Sequence, residues 1–431
     1  MRKILKTGAL ACLIAGFSVA NAAEVPLTSL TKNCKPLVNK NLKLPQPPIK
    51  GLDERTHKRL TKAQEKMAEG NYPEGIEMLK KLEAKAKDDY LRATLNIQLA
   101  YAYAQQGKQQ ESYPFFKKAL KYGATSLPHQ RVQSLRINVA GFMYSNGDKK
   151  GAVKLMEEWI NNSNVDDAQA YYLLGAFYAD EEVGRMKDAV CPAYFAAKTE
   201  VKPKQSYFQL LLALHWELKD VPGSATMLKA LVEYFPEENR FWRQLSQVYL
   251  QLDRVKDSLA VMEMFYLRGK FDTENDYKLL SSLFSYEDVP YRSALILEEG
   301  LKKGVVKSED KNWRNVAQNY HVSNELSRAI NAYGRSAEIA DDGRDYLKQA
   351  ELYSDKEEWQ AAVRSFDKAL KKGGLDDVGR AYLRKGVALI SMGRCDSAFK
   401  ALDQASKYKK YRKQSNSWAD YAKDRKRRNK C

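Results

Sequence analysis

Histidine and cysteine are the residue types most diagnostic of a transition-metal site, and the spacing of the histidines argues against one. None of the histidines has a second histidine or cysteine three or four positions away, the spacing that places two ligands on one helix face. The four are His57, His129, His215 and His321. The motifs G-x-S-x-G, G-x-x-x-x-G-K-[ST] and H-E-x-x-H are also absent from the sequence. We therefore expect no catalytic residue, no metal and no cofactor, and a protein that is not an enzyme.

The first 22 residues have the three parts of a secretory signal peptide. The start carries three positive charges, residues 8–19 are apolar, and Ala20-Asn21-Ala22 fits the small-x-small pattern for cleavage before Ala23. No later stretch contains about 18 consecutive apolar residues, so we expect no transmembrane helix after it. Residues 1–22 are therefore predicted to be a signal peptide, and the remaining chain is predicted to be exported.

Charge and composition restrict the partners of such a chain. Its 431 residues include 72 Lys and Arg against 54 Asp and Glu, a net charge of +18 that attracts acidic surfaces. With 44% hydrophobic residues, 23 Gly and 13 Pro, the chain is neither collagen-like nor disordered. Because export separates the protein from DNA and RNA, we expect no nucleic-acid partner. Anionic lipid heads, cell-wall polymers and acidic protein surfaces remain.

The composition changes near residue 53. Residues 23–52 contain five of the thirteen prolines and five lysines without apolar periodicity, which predicts an extended segment. From residue 53 onward, apolar residues recur at i, i+3, i+4 and i+7, the spacing of amphipathic helices. The sequence therefore predicts an all-α fold.

Large residues recur through this helical region at a period close to 34. They are Phe208, Trp242, Tyr277, Trp313, Tyr346 and Tyr382. Small and large residues follow each of them at matching distances, as Ala317, Tyr320, Ala329 and Tyr333 follow Trp313. A small residue lets two antiparallel helices approach closely, and the large residues fill the space beside it. The repeat predicts stacked antiparallel helix pairs.

This arrangement resembles the tetratricopeptide repeat. The best matches to its signature are Leu174-Gly175 with Tyr178, and the set Trp242, Leu245 and Tyr249. The resemblance implies a right-handed superhelical solenoid of about ten antiparallel helix pairs over residues 53–410. Residues 411–431 would then form a basic capping helix and tail.

A narrower resemblance rests on two stretches together with the signal peptide and the Pro/Lys-rich start. Residues 241–249 read FWRQLSQVY and residues 285–292 read SYEDVPYR. They are similar to tetratricopeptide proteins described as components of TonB systems in Gram-negative bacteria. That resemblance implies a periplasmic protein beside TonB and ExbB/ExbD, the machinery that drives uptake of iron carriers.

The tetratricopeptide resemblance also implies a binding groove. In that repeat the residues one and five positions after the large anchor, and two before it, face a concave surface. This register assigns Arg240, Arg243, Gln247, Lys278, Ser282, Lys311, Arg314 and Gln318 to the groove, and Asn315 joins Lys311 and Arg314 in a partial match to a carboxylate clamp. A basic, amide-rich wall suits an acidic peptide or a C-terminal carboxylate. The alternative is a solvated face without a partner.

The four cysteines outside the signal peptide form an even set, which in an oxidising compartment indicates disulfides with three connectivities. Cys395 lies in the turn of the last repeat and Cys431 is the final residue, so a bond between them would tie the tail to that end of the array. Cys34 would then pair with Cys191 and hold the extended segment along the early repeats. The alternative is four reduced thiols.

The C-terminal end is the densest positive region. From Lys407 to Lys430 there are eleven Lys or Arg against two Asp, and four of the cations form one run, Arg425, Lys426, Arg427 and Arg428. In an exported protein we interpret this run as a peripheral contact with an anionic membrane surface or an acidic partner; the alternative is a solubilising end. Tyr408, Tyr411, Trp418 and Tyr421 are expected to form one apolar stripe of the capping helix.

Repeat coverage without a catalytic motif predicts a scaffold that binds another protein of the cell envelope. The narrower resemblance assigns that partner to TonB-dependent transport, as a TonB-system or outer-membrane component. The competing hypothesis is a factor associated with the cell wall or its glycans, with enzymatic activity allowed, in which some of the 26 tyrosines provide stacking surfaces.

Overall fold

The computed structural model describes residues 24–44, 47 and 50–431, so the predicted signal peptide and its cleavage site lie outside the described residues. The chain forms two compact units, unit 1 ending at Phe241 and unit 2 running from Trp242 to Cys431. Within the described ranges there are 21 α-helices and no β-strand, which confirms the predicted all-α fold. None of these helices combines the length and the apolar character needed to cross a membrane.

The described part of unit 1 contains ten complete helices, and each packs against the next along the chain. They are α1 (Glu54–Ala68), α2 (Tyr72–Glu83), α3 (Asp89–Gln105), α4 (Gln109–Gly123), α5 (His129–Ser145), α6 (Lys149–Asn161), α7 (Ala168–Tyr178), α8 (Met186–Thr199), α9 (Gln205–Glu217) and α10 (Val221–Tyr234).

The boundary between the units falls inside α11 (Asn239–Gln251). Unit 2 continues with α12 (Val255–Leu267), α13 (Glu274–Tyr286), α14 (Pro290–Lys302), α15 (Asp310–Val322), α16 (Leu326–Ile339), α17 (Arg344–Asp355), α18 (Trp359–Lys372), α19 (Val378–Ser391), α20 (Cys395–Ser406) and α21 (Arg412–Arg427). We call the odd-numbered member of each pair from α1/α2 to α19/α20 its first helix, and the even-numbered member its second helix.

The turn inside each of these pairs contains one residue with a left-handed φ. In five pairs it is a glycine with φ between 67° and 87°, namely Gly70, Gly107, Gly147, Gly184 and Gly393. In the other five it is Lys219, Asp253, Asp288, Asn324 or Glu357, with φ between 57° and 60°. The left-handed residue ends the first helix and reverses the chain so that the second helix can begin. The ten turns agree with the prediction of about ten pairs.

The predicted anchor and small positions lie in the core of the pairs. Trp313 and Tyr320 on α15 are buried, and Ala317 and Ala329 are fully buried at the contact between α15 and α16. In unit 1, Gly175 allows an equally close approach, because a Cβ there would lie 3.1 Å from the backbone nitrogen of Ala193 on α8. The small positions therefore set the spacing in these two pairs.

The last helix, α21, packs against α20 and α19. Its covered face consists of Ser415, Trp418 and Ala422, which follow one another at helical spacing. Tyr411, just before the helix, is also buried, but Tyr421 is about half exposed and forms an edge-to-face pair with Trp418, with 5.7 Å between the ring centroids. The expected stripe is therefore wrong at Tyr421, which falls beside the buried face, and at Tyr408, which is exposed and precedes α21.

The segment before α1 is attached to unit 1. We call residues 24–44 the strap; it has no regular secondary structure. Val25 and Val38 are buried, and Cys34 is bonded to Cys191 on α8 with their Cα atoms 5.3 Å apart. The strap thus follows the surface of the later helices of unit 1.

Candidate functional site

His215 on α9 is a buried histidine with a polar partner at each ring nitrogen. It is 1% exposed, its Nδ1 lies 3.0 Å from Oδ2 of Asp220, and its Nε2 lies 3.3 Å from Oγ1 of the strap residue Thr28. Ser29 donates a hydrogen bond to the same Asp220 carboxylate. We call Thr28, Ser29, His215 and Asp220 the His215 cluster. In the part of the chain that the structure describes, no three His, Cys, Asp or Glu side chains are arranged to hold a metal ion.

Carboxylate, imidazole and hydroxyl follow one another in this cluster as they do in a hydrolase triad. Burial of the hydroxyl distinguishes a catalytic triad from a contact that holds the strap. Thr28 is only 7% exposed, and its hydroxyl also contacts Oγ1 of Thr31 at 3.1 Å. A substrate carbonyl is therefore kept from this hydroxyl while the strap is in place. Asp220 caps α10 by accepting the backbone N–H of Gly223 at 3.1 Å. The cluster thus fastens the strap to the turn between α9 and α10.

The charges of the cluster are set by burial and by its own hydrogen bonds. Burial lowers the pKa of His215, and the neighbouring Asp220 carboxylate opposes this only in part. For Asp220 burial acts to raise the pKa, but hydrogen bonds from Ser29 and the Gly223 N–H, together with His215, lower it overall. A neutral imidazole that donates from Nδ1 to Asp220 and accepts the Thr28 hydroxyl at Nε2 satisfies every contact.

Arg243, which the sequence places in the groove, links α11 to α13. Its Nε donates to Oδ1 of Asp276 at 2.8 Å, its Nη2 donates to Oδ2 at 2.9 Å, and Nη2 also contacts Asp272. Asp276 is 1% exposed and directly precedes the anchor Tyr277. Its carboxylate also accepts the backbone N–H of Thr273 at 3.1 Å, so it caps α13 as well.

Arg314 repeats this arrangement between α15 and α17. Its Nε donates to both carboxylate oxygens of Asp345 at 3.0 Å, and its Nη2 donates to Asp310 at 2.8 Å. Asp345 is buried, directly precedes the anchor Tyr346, and accepts the hydroxyl of Ser336 at 2.6 Å. Each arginine therefore neutralises a buried carboxylate of the following repeat.

The two groove lysines are paired as well. Lys278 contacts Glu274 one turn earlier on α13, and Lys311 lies 2.7 Å from Glu309. The basic groove therefore stays a prediction, and in unit 2 each of its four cations has a carboxylate of the same unit within reach. A repeat register gives the direction of a side chain but not the charge of its neighbours.

Arg240 belongs to unit 1, whereas the other predicted groove residues belong to unit 2. Its Nε lies 3.3 Å from Glu238, and its guanidinium lies 4.7 Å from the centroid of the Phe241 ring. The structure therefore does not bring the whole predicted set together within one unit.

The uncharged members of the predicted groove are exposed on α11, α13 and α15. They are Gln247, Ser282, Asn315 and Gln318. One helical turn beyond Ser282 and Gln318 stand Tyr286 and Val322, which are 71% and 73% exposed. Residues four apart share a helix face. We call these six residues the first-helix face of unit 2.

Tyr286 and Val322 are the members of this face that the sequence analysis missed. Each follows its anchor, Tyr277 or Trp313, by nine positions, so a repeated apolar residue at that register was the available signal. The helices that carry them are neighbours, because Ser285 on α13 donates to Oδ1 of Asn319 on α15 at 2.9 Å.

The four described cysteines occur in the two predicted pairs. Cys34 is bonded to Cys191, and Cys395 is bonded to Cys431 with their Cα atoms 5.8 Å apart. The second bond joins the final residue to the first residue of α20. Together the bonds attach both ends of the described chain to the helical array.

The basic run of the tail is largely engaged within unit 2. Three of its four members have partners, which are the carbonyl of Ile390 at 3.1 Å for Arg425, Asp396 at 2.5 Å for Lys426 and Asp424 at 3.0 Å for Arg428. Arg427 is exposed and pairs with no carboxylate among the described residues. Arg425 and Lys426 therefore connect α21 to α19 and α20, whereas the Arg428 pair lies at the end of α21 itself.

Stacked antiparallel helix pairs in both units define a helical-repeat protein. A tetratricopeptide repeat family model matches residues 60–126, 213–271 and 347–411. These three stretches of the chain therefore carry tetratricopeptide repeats, and such repeats imply a protein–protein interaction scaffold.

Several solved repeat structures are similar to this chain. A tetratricopeptide repeat protein from Parabacteroides merdae is 16% identical, with 61% of this chain and 98% of that chain covered and a TM-score of 0.37. A MamA RS-1 double mutant is 20% identical, with 44% and 98% covered and a TM-score of 0.37. YrrB, described as a TPR protein with an unusual peptide-binding site, is 12% identical, with 41% and 89% covered and a TM-score of 0.31. No curated protein matches the sequence.

Replacing Arg243 or Arg314 by glutamine should destabilise unit 2, because each change leaves a buried carboxylate without its cation. Breaking a buried pair costs roughly 3 to 5 kcal/mol, and we expect about 2 to 3 kcal/mol because the guanidiniums are partly exposed. Arg344→Gln is the matched control, since Arg344 is exposed and pairs with its neighbour Asp342; it should change stability by less than about 0.5 kcal/mol. Urea unfolding measures all three, and equal stabilities would contradict the assignment.

Acidification should weaken the His215 cluster. Because the pKa of His215 is lower in the folded chain, the unfolded chain takes up the proton first, near its ordinary value of about 6.5. The stability contributed by neutral His215 is therefore complete above that pH and is lost as the pH falls toward the folded pKa. Asp220, whose pKa is lowered, would titrate only below about 3.8, outside this window.

The His215→Gln variant should therefore lose less stability than the wild type between about pH 7 and pH 5. The exposed His57 on α1 provides the control variant, His57→Gln, which should keep the wild-type dependence. Thermal unfolding across this range compares the three proteins, and an unchanged slope in His215→Gln would refute the prediction.

Proposed function

We propose that this protein is an exported scaffold of the cell envelope that holds an extended segment of a partner protein on the first-helix face of unit 2. Its tetratricopeptide repeats imply a protein-interaction scaffold. The chemistry of the first-helix face supports this particular use.

The observation that carries the proposal is that exposed amides and exposed apolar side chains share this face while its cations are already paired. The side-chain amide of Gln318 can both donate and accept, which suits the backbone of an extended peptide. Tyr286 and Val322 gain by burial, at about 25 cal/mol per Å² of apolar surface removed from water. An acidic segment would have to compete with internal carboxylates for Arg243 and Arg314. We therefore expect an apolar, weakly charged segment.

Export is the part of the proposal that rests on sequence. Residues 1–22 have the pattern of a signal peptide. The two cysteine pairs support it, since disulfides persist in oxidising compartments such as the periplasm.

Within the envelope we propose a TonB-system or outer-membrane protein as the partner. The support is the similarity of residues 241–249 and 285–292 to tetratricopeptide proteins described as TonB-system components. The first stretch lies on α11 and the second begins at the end of α13, so both contribute to helices of the first-helix face.

Cross-linking in intact cells tests this assignment. Purification of the cross-linked protein should recover a TonB-system or outer-membrane protein, and a strain lacking the protein should take up iron carriers poorly. Normal uptake of iron carriers, with no such partner recovered, would contradict the TonB assignment. It would not contradict the scaffold function. Salt-resistant retention on purified peptidoglycan without a protein partner would support the cell-wall alternative.

The tail provides a second contact in this proposal. Lys409, Lys413 and Arg427 are exposed and form no ion pair with any residue that the structure describes. Such cations attract anionic lipid heads, each contributing about 1 kcal/mol near the membrane surface.

The first-helix face makes a testable prediction about where the partner binds. A photo-crosslinking amino acid at the exposed position Ser282 should capture a defined partner peptide, and the same amino acid at Lys371 on α18 should not. In the Tyr286→Ser, Val322→Ser double variant this capture should fall about tenfold or more, because two buried apolar contacts are worth roughly 1.5 kcal/mol or more. The thermal melt should stay unchanged, since both side chains are exposed.

The matched control is the Met264→Ser, Leu267→Ser double variant, which removes two exposed apolar side chains of α12 in the same unit. It should capture the same peptide as the wild type. Equal capture by all three proteins would mean that the first-helix face does not bind the partner.

A further inference from the structure

The strap is attached to unit 1 by few buried side chains. Four of its 21 residues are buried, namely Val25, Thr28, Thr31 and Val38, and each of its five leucines remains at least partly exposed. Fixing an extended segment costs conformational entropy at every residue, and the burial of two valines offsets only a small part of that cost. The apolar contacts of the strap are therefore too few to hold it on the helices.

The polar contacts of the strap are individually weak as well. Lys40 lies 3.0 Å from Asp166, but its side chain is 69% exposed, and exposed ion pairs contribute little to stability. The carbonyl of Leu42 accepts from the side chain of Asn164 at 3.3 Å. The His215 cluster exchanges hydrogen bonds to water for hydrogen bonds within the protein, and the net gain of such an exchange is modest. The strap therefore needs a further restraint to stay docked.

The bond between Cys34 and Cys191 supplies that restraint. Cys34 is the middle residue of the strap, so the bond limits the movement of the segments on both sides of it. Cys191 lies on α8, which packs against both α7 and α9. Both cysteines are partly exposed, which leaves the bond open to a thiol from solution.

We propose that the strap is a redox-controlled cover of unit 1, which stays docked while Cys34 and Cys191 are bonded and leaves the helices when a dithiol reduces them. One thiolate of the dithiol attacks the sulfur of Cys34 and forms a mixed disulfide, and Cys191 leaves as a thiolate that takes up a proton. The second thiolate of the dithiol then attacks its own partner sulfur in the mixed disulfide, and Cys34 leaves and is protonated. The dithiol ends as a disulfide, having given two electrons and two protons to the cysteines.

Release of the strap changes two properties of unit 1. The surface of α8 and α9 that contacts the strap becomes exposed to solvent, while the helices stay folded because each packs against its neighbours in the chain. The strap becomes a free basic arm, since it contains four lysines and one glutamate. This proposal concerns unit 1 and does not depend on what the first-helix face binds.

Cleavage by a lysine-specific protease tests the proposal, because the cleavage rate follows the population in which the chain is free of the folded surface. The Cys34→Ser variant, which lacks the bond without any reductant, should be cut after Lys32 and Lys40 at least about tenfold faster than the wild type. Cleavage after the exposed Lys229 on α10 should be equally slow in both proteins. Equal rates at Lys32 and Lys40 would overturn the proposal. A parallel rise at Lys229 would also overturn it, because the bond would then stabilise the helices themselves.

The matched control is Cys431→Ser, which removes the other disulfide and should be cut after Lys32 and Lys40 as slowly as the wild type. Faster cleavage of this control would overturn the assignment to the Cys34 bond. Dithiothreitol, a dithiol, tests the reduction itself. After treatment of the folded wild type, Cys34 and Cys191 should react with an alkylating reagent, and the alkylated protein should be cut like Cys34→Ser. Cysteines that stay bonded, or cleavage at the untreated rate, would overturn the redox control.

Discussion

Two buried carboxylates constrain how the first helices of unit 2 pack against one another. Asp276 and Asp345 each precede an anchor tyrosine and are almost completely buried, a position that costs several kcal/mol for an unpaired charge. The first helix of the preceding repeat supplies the compensating cation in both cases, as Arg243 and as Arg314. The contacts of α11 with α13 and of α15 with α17 therefore depend on two arginines. The repeat register had assigned the same two arginines to partner binding.

Other polar contacts join the remaining first helices of unit 2. Ser285 bonds to Asn319 between α13 and α15, and Glu351 lies 2.5 Å from Arg380 between α17 and α19. These contacts use polar groups of the first helices internally, and the side chains left exposed on α11, α13 and α15 include amides, a hydroxyl and two apolar groups. These side chains are the basis of the proposed recognition of an extended, weakly charged segment, whereas the repeat register had predicted an acidic peptide.

The helices, their buried faces and one cysteine pair could be predicted from the sequence, because the residues that indicate them lie close together in the chain or at one end of the repeat array. The spacing of Trp313, Ala317 and Tyr320 lies within two turns of one helix, so periodicity alone predicts the helix and its buried face. The pairing of Cys395 with Cys431 could be proposed because both lie at one end of the repeat array.

The arginine–aspartate pairs and the docking of the strap depend on contacts between residues far apart in the sequence. Arg243 and Asp276 are 33 positions apart, and Thr28 and His215 are 187 apart. The strap has no periodicity that would reveal where it docks. For the arginines a signal did exist, because Trp-Arg at 242 and 313 is followed one repeat later by Asp-Tyr at 276 and 345.

A double-mutant cycle on Arg314 and Asp345 tests most directly whether the arginines of the first helices are internal links. The single variants Arg314→Gln and Asp345→Asn and the double variant would be compared with the wild type by urea unfolding. An internal link predicts a coupling energy of about 2 kcal/mol, within the range for contacting residues in one network. A coupling energy below about 0.5 kcal/mol, the level expected of independent sites, would contradict the account.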